Sequence, residues 1–391
     1  MSKTISRREF LHMMGAATAG LLAAGCQATT VVTPVATDTI SPAEAATVPS
    51  TPIASATSLP TPTLAPTGLS TQVAIVQAVD YEPERLRQQV RLMLDALGGL
   101  SDVVHSGDRV AIKVNLTGGS HFAPPAGVSA TESYLTHPEV VRALGELLRD
   151  AGARELFIVE AVYDGESYRL FGYEEVAKPL AAMLIDLNGF HPYSGFVSAS
   201  VGEGAFIYDT FSFNPILEEV DAFVSVAKMK CHFECVVTHS MKNLIGLVPA
   251  KEYRLDETHW WRSALHGQVN ETKTRLPRVI LDLNRARPIH LALIDGIKTA
   301  EGGEVPRGTF HPVQPGVMIA GKNPVATDAI ATAAMGFDPT VEPSAPPFLR
   351  GDNYLNMAHE LGLGTNRLQE IEVVGASIDE VLYEFEPSRE M

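Results

Sequence analysis

The chain has 391 residues, of which 45% are hydrophobic, and a formal net charge of −16 at pH 7. This length can bury a large core as one or two domains, and the acidic balance argues against nucleic acid as a partner. Its 3 cysteines, Cys26, Cys231 and Cys235, are too few for a disulfide scaffold or, by themselves, for an iron–sulfur cluster.

The N-terminus shows, in order, the features of an export signal. Arg7 and Arg8 precede an apolar stretch over 11–24 that is too short to span a bilayer, and small residues lead to Cys26. We therefore expect residues 1–26 to be a twin-arginine lipoprotein signal peptide, recognised by the twin-arginine export machinery, with lipidation at Cys26. The lipid anchor would hold the protein on the outside of the cytoplasmic membrane or at the cell surface. Cleavage without lipidation is the alternative.

Residues 27–70 form a second region with a distinct composition. They are rich in Thr, Pro, Ser and Ala and contain no Lys or Arg. Such a segment cannot bury a core and is typical of a disordered linker. The remaining residues, 71–391, are predicted to form a single α/β domain.

From residue 71 onward, β-rich runs alternate with amphipathic helical runs. Strands are predicted at 73–76, 109–114, 156–159, 222–226, 291–294, 317–319 and 371–374, and helices at 82–97, 137–150, 324–335 and 354–361. Thr136 is expected to cap the second helix. Strand, helix and strand at this spacing predict βαβ units. The expected fold class is therefore α/β, with a mostly parallel, Rossmann-like sheet flanked by helices.

Polar side chains stand at four predicted strand ends, where open α/β sheets bind their ligands. They are Lys113 with Asn115, Glu160, Lys228 with Lys230, and Asp295. Polar groups that converge on one edge of the sheet would form a binding site for a small anionic ligand. The alternative is that each is an ordinary loop residue.

The segment 227–246 has the highest density of ionisable side chains. His232, Cys235 and His239 are three and four residues apart, so on a helix they would share one face and could bind nickel, zinc or iron. In the other interpretation, the lysines of the segment and a helix N-terminus bind a phosphate or carboxylate. Inert, buried cysteines are a third possibility.

Two later stretches contain further acidic candidates. The glycine-rich stretch 295–308 follows a strand, and its Asp295 and Glu301 could bind a metal or act as acid and base; a turn-rich loop is the alternative. Asp328 falls in the first turns of a predicted helix, where a favourable interaction with the helix dipole would also explain it. A polar stretch that could form a lid, or simply pack, contains His259, Trp260, Trp261 and His266.

Five motifs, in this order, resemble the family called domain of unknown function 362. They are 110–115, 136–141 with 151–153, 228–230 with 241–246, 295–296 with 301–302, and 323–328. The resemblance covers about residues 75–375. Many members carry a ferredoxin-like segment with several cysteines, which this chain lacks, so the resemblance does not extend to electron transfer through its own cluster.

A second resemblance, confined to the N-terminal region, is to nickel-dependent lactate racemases. Those enzymes have a similar βαβ layout and a histidine ten residues before a lysine, a spacing that His232 and Lys242 share. The resemblance implies that His232 is a metal ligand and that Lys242 anchors a cofactor. The glycine-rich stretch that the racemases have between the two residues is absent here.

Together these features predict an extracytoplasmic protein that binds a small anionic ligand or a metal-bearing cofactor at the strand-end edge. A metal-dependent, racemase-like enzyme, a non-catalytic solute-binding lipoprotein and a surface interaction module all remain open. The candidate catalytic residues are His232, Lys242 and Asp295. The candidate ligand-binding residues are Lys113, Asn115, Glu160, Lys228, Lys230, Asn243, Glu301 and Asp328.

Overall fold

The structure is a computed structural model that describes residues 70–388, apart from 235, 269, 344, 349 and 350. The expectations for the signal peptide, for Cys26 and for the linker up to residue 69 therefore lie outside the described residues. Within the described part of the chain, no helix combines the length and the apolar composition needed to cross a bilayer.

A central sheet of 10 strands organises the described residues, and a separate 2-stranded ribbon lies beside it. The strands are β1 Gln72–Gln77, β2 Arg109–Lys113, β3 Glu155–Glu160, β4 Met183–Asp186, β5 Val197–Ser200, β6 Thr210–Phe213, β7 Ala222–His232, β8 Val236–Thr238, β9 Leu291–Glu301, β10 His311–Val313, β11 Val317–Gly321 and β12 Glu372–Gly375. The sheet order is β12-β1-β11-β9-β7-β2-β3-β4, with β8 paired to β7 and β10 to β9, while β5 and β6 form the ribbon.

The strands at the centre of the sheet run in one direction. β2 is parallel to both β3 and β7, β3 is parallel to β4, and β7 is parallel to β9. β11 runs antiparallel between β1 and β9. The predicted α/β class with a mostly parallel sheet is therefore confirmed. Because the chain moves from β2 to β3 on one side and later returns to β7 on the other, the carboxyl ends of β2 and β7 border a topological switch point, where such sheets bind ligands.

Helices cover both faces of the sheet. They are α1 Pro83–Ala96, α2 Pro138–Asp150, α3 Ser167–Leu170, α4 Tyr173–Leu180, α5 Ile216–Glu219, α6 Ser263–His266, α7 Thr272–Ala286, α8 Pro324–Ala334, α9 Tyr354–Glu360 and α10 Ile378–Val381, with 3-10 helices at Gly119–His121, Lys242–Leu247 and Leu368–Glu370. Alternate side chains of β2 enter opposite cores: Val110 and Ile112 pack with α1, α2 and α4, whereas Ala111 packs with α7, α8 and α9.

Two strands extend beyond their predicted ends. As a consequence, the described residues of 232–239 do not form the helix that the metal-site interpretation required. β7 continues to His232 and β9 to Glu301, because the polar side chains in these extensions find partners inside the protein. After β7 the chain turns back into β8, which places Val236 opposite His232. The interpretation of His232, Cys235 and His239 as one helical face is therefore wrong, and Cys235 lies outside the described residues.

The predicted cap of α2 also needs correction. Its N-cap residue is His137, whose Nδ1 accepts a hydrogen bond from the amide of Glu139 at 3.2 Å. The hydroxyl of Thr136 instead donates to the carbonyl oxygen of Val226 at 2.9 Å and accepts from the amide of Asn115 at 3.1 Å. Thr136 thereby joins the carboxyl end of β2 to β7 rather than capping the helix.

Candidate functional site

A cavity of about 350 Å³ opens at the carboxyl ends of the central strands. It is lined by segments that follow four of them: Thr117 and Gly118 after β2, Tyr163 after β3, the end of β7 from His232 to Glu234, and residues 302–305 after β9. The remaining walls come from Phe122, Lys242, Ile245, Trp260, Trp261, His266, Arg307, Thr309 and Ser388. This volume suits a small organic molecule.

His232, at the end of β7, forms a buried pair with Glu304. Its Nε2 contacts the carboxylate of Glu304, and its Nδ1 accepts a hydrogen bond from the amide of Glu234 at 3.0 Å. Because Nδ1 accepts, the ring proton belongs on Nε2, which donates it to Glu304. Burial lowers the pKa of His232 to about 4, which agrees with a neutral ring. Although burial opposes ionisation of Glu304, the neighbouring His232 holds the pKa of that carboxyl well below its usual range.

A second imidazole–carboxylate pair lines the same cavity. Nδ1 of His266, at the end of α6, contacts the carboxylate of Glu234. Burial alone would raise the pKa of Glu234, but the hydrogen bond from His266 holds it below the ordinary value. Since the amide of Glu234 also donates to His232, the two pairs form one connected chain of hydrogen bonds along the wall.

Aromatic side chains form much of the remaining wall. Trp260 stacks on His121 with ring centroids 4.5 Å apart and meets Tyr163 edge-on at 5.2 Å. Trp261 packs edge-on against His266 at 4.8 Å. Flat apolar faces beside polar groups favour a ligand that has a planar apolar part.

Two cationic side chains face the cavity without an acidic partner. Lys242 begins the 3-10 helix at the cavity floor, and among the described residues it makes no ion pair or hydrogen bond through its side chain. Arg307 lies with its guanidinium carbon 4.5 Å from the ring centroid of Phe122 and likewise has no carboxylate partner in the described part of the chain. Ammonium and guanidinium N–H groups that have no hydrogen-bond partner at a cavity wall can donate to a bound anion.

Further basic side chains are buried behind this wall. Arg262 donates from Nε to the carbonyl oxygen of Val248 at 2.6 Å and places its guanidinium carbon 5.1 Å from the ring centroid of Tyr163. Lys230 donates to the carbonyl oxygens of Tyr134, at 2.9 Å, and of Glu304, at 3.0 Å. Burial lowers the pKa of Lys230 to about 7.

Lys113, Asn243 and Glu160 form a buried network beneath the cavity. The ammonium of Lys113 donates to the carboxylate of Glu160 at 2.9 Å and to the side-chain oxygen of Asn243 at 3.2 Å. Burial lowers the pKa of Lys113 to about 8, although Glu160 opposes the shift. Gly246 permits this contact, because a Cβ at that position would lie 2.0 Å from a carboxylate oxygen of Glu160. This trio, predicted to bind ligand, connects the 3-10 helix to β2 and β3.

Asp295 and Lys228 also pair with each other, away from the cavity. Nζ of Lys228 donates to Oδ2 of Asp295 at 2.9 Å, and both side chains are fully buried. The hydroxyl of Tyr81 donates to Oδ1 of Asp295 at 3.0 Å. With its carboxylate engaged in this way, Asp295 does not line the cavity, and its predicted catalytic role gains no support from the geometry.

The other predicted residues divide between the cavity wall and the protein interior. His232 and Lys242 line the cavity. Asn115 lies beneath it, with its side-chain oxygen 3.4 Å from the ammonium of Lys230. Three more are buried elsewhere: Glu301 accepts from the amide of Glu386, Asp328 accepts from the amides of Ser240 and Met241, and His239 packs against Met335.

The described residues do not fit a bound metal ion. Among them, no three His, Cys, Asp or Glu side chains are grouped closely enough to hold one. Both ring nitrogens of His232 already have hydrogen-bond partners, and His239 faces a different part of the core. We therefore assign no metal-dependent step to this cavity.

Several wall residues were not singled out from the sequence. Glu304, Glu234 and Arg307 lie in segments that contain other ionisable residues, and spacing alone did not distinguish them. His266, Trp260 and Trp261 were noticed as part of a lid or packing segment. Two adjacent tryptophans in a polar loop were the signal that could have placed this segment at a ligand.

Comparison with known proteins identifies one family and one similar curated protein. A family model described as "Domain of unknown function (DUF362)" matches residues 110–333. The chain is also 26% identical, over 282 residues, to the thylakoid-associated protein sll1697 of Synechocystis sp., covering 70% of this chain and 77% of that protein.

Two solved structures give more distant matches. A protein from Thermotoga maritima is 13% identical, with a TM-score of 0.32, and the match covers 61% of this chain and 56% of that one. The lactate racemase apoprotein from Thermoanaerobacterium thermosaccharolyticum is 10% identical, with a TM-score of 0.34, covering 62% of this chain and 54% of that one. The chain thus spans little more than half of each, and neither match carries an argument about function.

Proposed function

This chain belongs to the family described as domain of unknown function (DUF362), and because that description names no activity, we propose a function from the cavity. The protein binds a small organic anion that has a planar, apolar part. The observation that carries the proposal is Lys242, a half-buried lysine on the cavity wall whose ammonium makes no ion pair or hydrogen bond among the described residues.

The hydrogen-bond donors on the wall support an anion rather than a cation. The two carboxylates on the wall, Glu304 and Glu234, each already accept a hydrogen bond from a histidine. Among the described residues, Lys242 and Arg307 keep side-chain N–H groups that are free to donate to a ligand, and Arg262 adds positive charge from behind. A hydrogen bond to a charged group in such a site contributes about 1.5–3 kcal/mol.

Both tryptophans of the chain line the cavity, which makes the test direct. Energy transfer from Trp260 and Trp261 to 8-anilinonaphthalene-1-sulfonate, an aromatic anion, is most efficient for probe bound beside them, and so it weights the signal toward this cavity. We expect Lys242→Ala to weaken binding of this probe by about 10- to 100-fold, the equivalent of one lost charged hydrogen bond. The measurement is a fluorescence titration at fixed ionic strength.

Lys251→Ala is the matched control, since Lys251 is exposed and does not line the cavity. Its affinity for the probe should equal that of the unsubstituted protein. Equal affinity of Lys242→Ala and Lys251→Ala would contradict the proposal, provided that both variants unfold at the normal temperature.

We also propose that the protein works outside the cytoplasm as a lipid-anchored, twin-arginine-exported lipoprotein. The support is the order of the arginine pair, apolar stretch and Cys26 in the sequence. The name of the similar Synechocystis protein associates that protein with a membrane system, which is consistent with a membrane location here. Ligand binding without turnover, as in a solute-binding lipoprotein, is the alternative to an enzyme.

A further inference from the structure

We propose that the cavity is also a catalytic site, in which His266 removes a proton from the carbon next to the keto group of a bound aromatic 2-oxo carboxylate. The inference rests on the proposed anion-binding function and adds a reaction and a substrate class to it. It rests on the hydrogen bonds of the two wall histidines, which leave a free ring lone pair on His266 but none on His232.

His266 has the arrangement of a general base. Its Nδ1 contacts the carboxylate of Glu234, which can only accept a hydrogen bond, so the ring proton belongs on Nδ1. The lone pair then lies on Nε2, which has no hydrogen-bond partner among the described residues. A carboxylate that fixes the tautomer and stabilises the imidazolium is the arrangement by which enzymes use histidine as a base.

The other wall histidine cannot act in the same way. Nε2 of His232 carries the ring proton toward Glu304, and its Nδ1 lone pair accepts the amide proton of Glu234. His232 therefore has no lone pair to offer a ligand in this structure. Its role is to hold Glu304 and the backbone of Glu234, which in turn positions His266.

The cationic residues of the wall match the charge that proton removal creates. As the C–H bond breaks, a new N–H bond forms on Nε2 of His266, and the carbon's electron pair becomes part of a C=C bond. The keto oxygen then bears the enolate charge, which the ammonium of Lys242 stabilises. Return of the proton from Nε2 to the same carbon completes the cycle, so the step needs no co-reactant.

The substrate class follows from three features of the cavity. Arg307 provides a planar guanidinium for a carboxylate. His266 as the base and Lys242 as the cation that stabilises an enolate oxygen suit a substrate with an acidic C–H group next to a carbonyl. Trp260, Trp261 and Tyr163 give the wall aromatic surface against which an aromatic ring can pack. Phenylpyruvate, an aromatic 2-oxo carboxylate, combines the three and is the probe to use.

The test measures exchange of the methylene hydrogens of phenylpyruvate in deuterium oxide by proton NMR, with quenching of tryptophan emission as a separate measure of binding. We expect the protein to accelerate exchange above the buffer rate. His266→Asn should lower this rate by roughly 100-fold or more while binding persists, as for the loss of a general base. Glu234→Gln should lower kcat about tenfold and change KM much less, because the carboxylate of Glu234 acts by fixing the tautomer of the base.

His105→Asn is the matched control. His105 also pairs with a carboxylate, with its Nδ1 3.5 Å from Oδ2 of Asp108, but it is exposed and does not line the cavity. This variant should exchange phenylpyruvate at the normal rate. Equal losses in His105→Asn and His266→Asn would overturn the assignment of the base.

The binding measurement separates the failure of this inference from failure of the proposed function. Exchange at the buffer rate by an unsubstituted protein that binds phenylpyruvate would overturn the catalytic step but leave anion binding intact. Binding of 8-anilinonaphthalene-1-sulfonate without binding of phenylpyruvate would overturn the substrate class. Failure to bind either anion would contradict the proposed function itself. Should His266→Asn fail to fold, the comparison of the unsubstituted protein with buffer still shows whether the cavity catalyses the exchange, and Glu234→Gln tests the role of the pair.

Discussion

Lys230 shows how a lysine can be kept inside this fold without a carboxylate in contact with it. Its ammonium is 1% exposed and donates to the carbonyl oxygens of Tyr134 and Glu304. Carbonyl dipoles only partly replace water, and so burial lowers the pKa of Lys230 to about 7. Protonation of Lys230 therefore destabilises the folded protein relative to the unfolded chain.

This pKa predicts a specific dependence of stability on pH. Between about pH 7 and pH 10.5, the unfolded chain binds a proton at Lys230 that the folded chain does not, so its contribution to the free energy of unfolding increases with pH. Lys230→Met removes the titration. We expect the difference in unfolding free energy, native minus variant, to rise by about 1 kcal/mol per pH unit across this range.

Urea unfolding of both proteins at pH 7, 8, 9 and 10 measures this difference. Comparison with the variant cancels the titration of the other lysines. A difference that stays constant, or that falls as the pH rises, would show that the folded protein keeps Lys230 protonated.

At the level of residues, the sequence singled out two residues that line the cavity, but it did not predict which residues each candidate contacts. His232 and Lys242 were expected at a ligand, and both line the cavity. Lys228 and Asp295 carried the same sequence signal, but they neutralise each other in the core. Whether a polar side chain at a strand end faces a ligand depends on the opposite residue, which can be distant in sequence. Spacing along the chain cannot supply that information.

The C-terminal segment is the element that closes one side of the cavity. The amide of Glu386 donates to the carboxylate of Glu301 at 2.7 Å, and its carbonyl oxygen accepts from the amide of Gly302 at 3.1 Å and from the thiol of Cys231 at 3.3 Å. Ser388, two residues further on, lines the cavity. The segment thus covers the thiol and completes the wall.

Deletion of residues 386–391 should therefore expose Cys231. In the intact protein the thiol is buried and its pKa is raised to about 12, so the reactive thiolate is scarce. With Cys26 and Cys235 replaced by serine, we expect the deletion to accelerate labelling by 5,5′-dithiobis(2-nitrobenzoate) by roughly tenfold or more. Deletion of 389–391 alone is the control. Equal labelling rates in the two truncated proteins would mean that the segment does not protect Cys231.

Among the elements, the helices with regular apolar spacing could be predicted from the sequence, whereas the extension of β7 could not. α1, α2, α8 and α9 lie within a few residues of their predicted bounds, because their apolar spacing reflects burial directly. β7 was expected to end at 226 but continues to His232, since Lys228 and Lys230 are satisfied by partners from other elements. A run of alternating charged residues resembles a loop until those partners are known.

For the whole molecule, local sequence patterns were sufficient to predict the architecture of the sheet, but they did not predict which loops form the cavity. Repeated strand–helix–strand units predicted a mostly parallel sheet, and the order of strands places the carboxyl ends of β2, β3, β7 and β9 along one edge. The walls, however, come from loops far apart in the chain, including residues 260–266 and 302–307. Their convergence follows from packing around the complete sheet.

The overall charge of the molecule opposes anion binding. A formal net charge of −16 repels anions at long range, so binding has to arise from local hydrogen-bond donors that carry positive charge, such as Lys242. The affinity of the cavity for a ligand should therefore depend strongly on the charge of that ligand.

The most direct test compares two ligands of nearly the same shape that differ in charge. Tryptophan emission would be titrated with 1-naphthoate and with the uncharged 1-naphthamide under the same conditions. We predict that the anion binds at least about tenfold more tightly, and that this preference is reduced in Lys242→Ala, where Arg307 remains, but kept in full in Lys251→Ala. Equal affinities for the two ligands, or tighter binding of the amide, would contradict the assignment of this cavity as an anion-binding site.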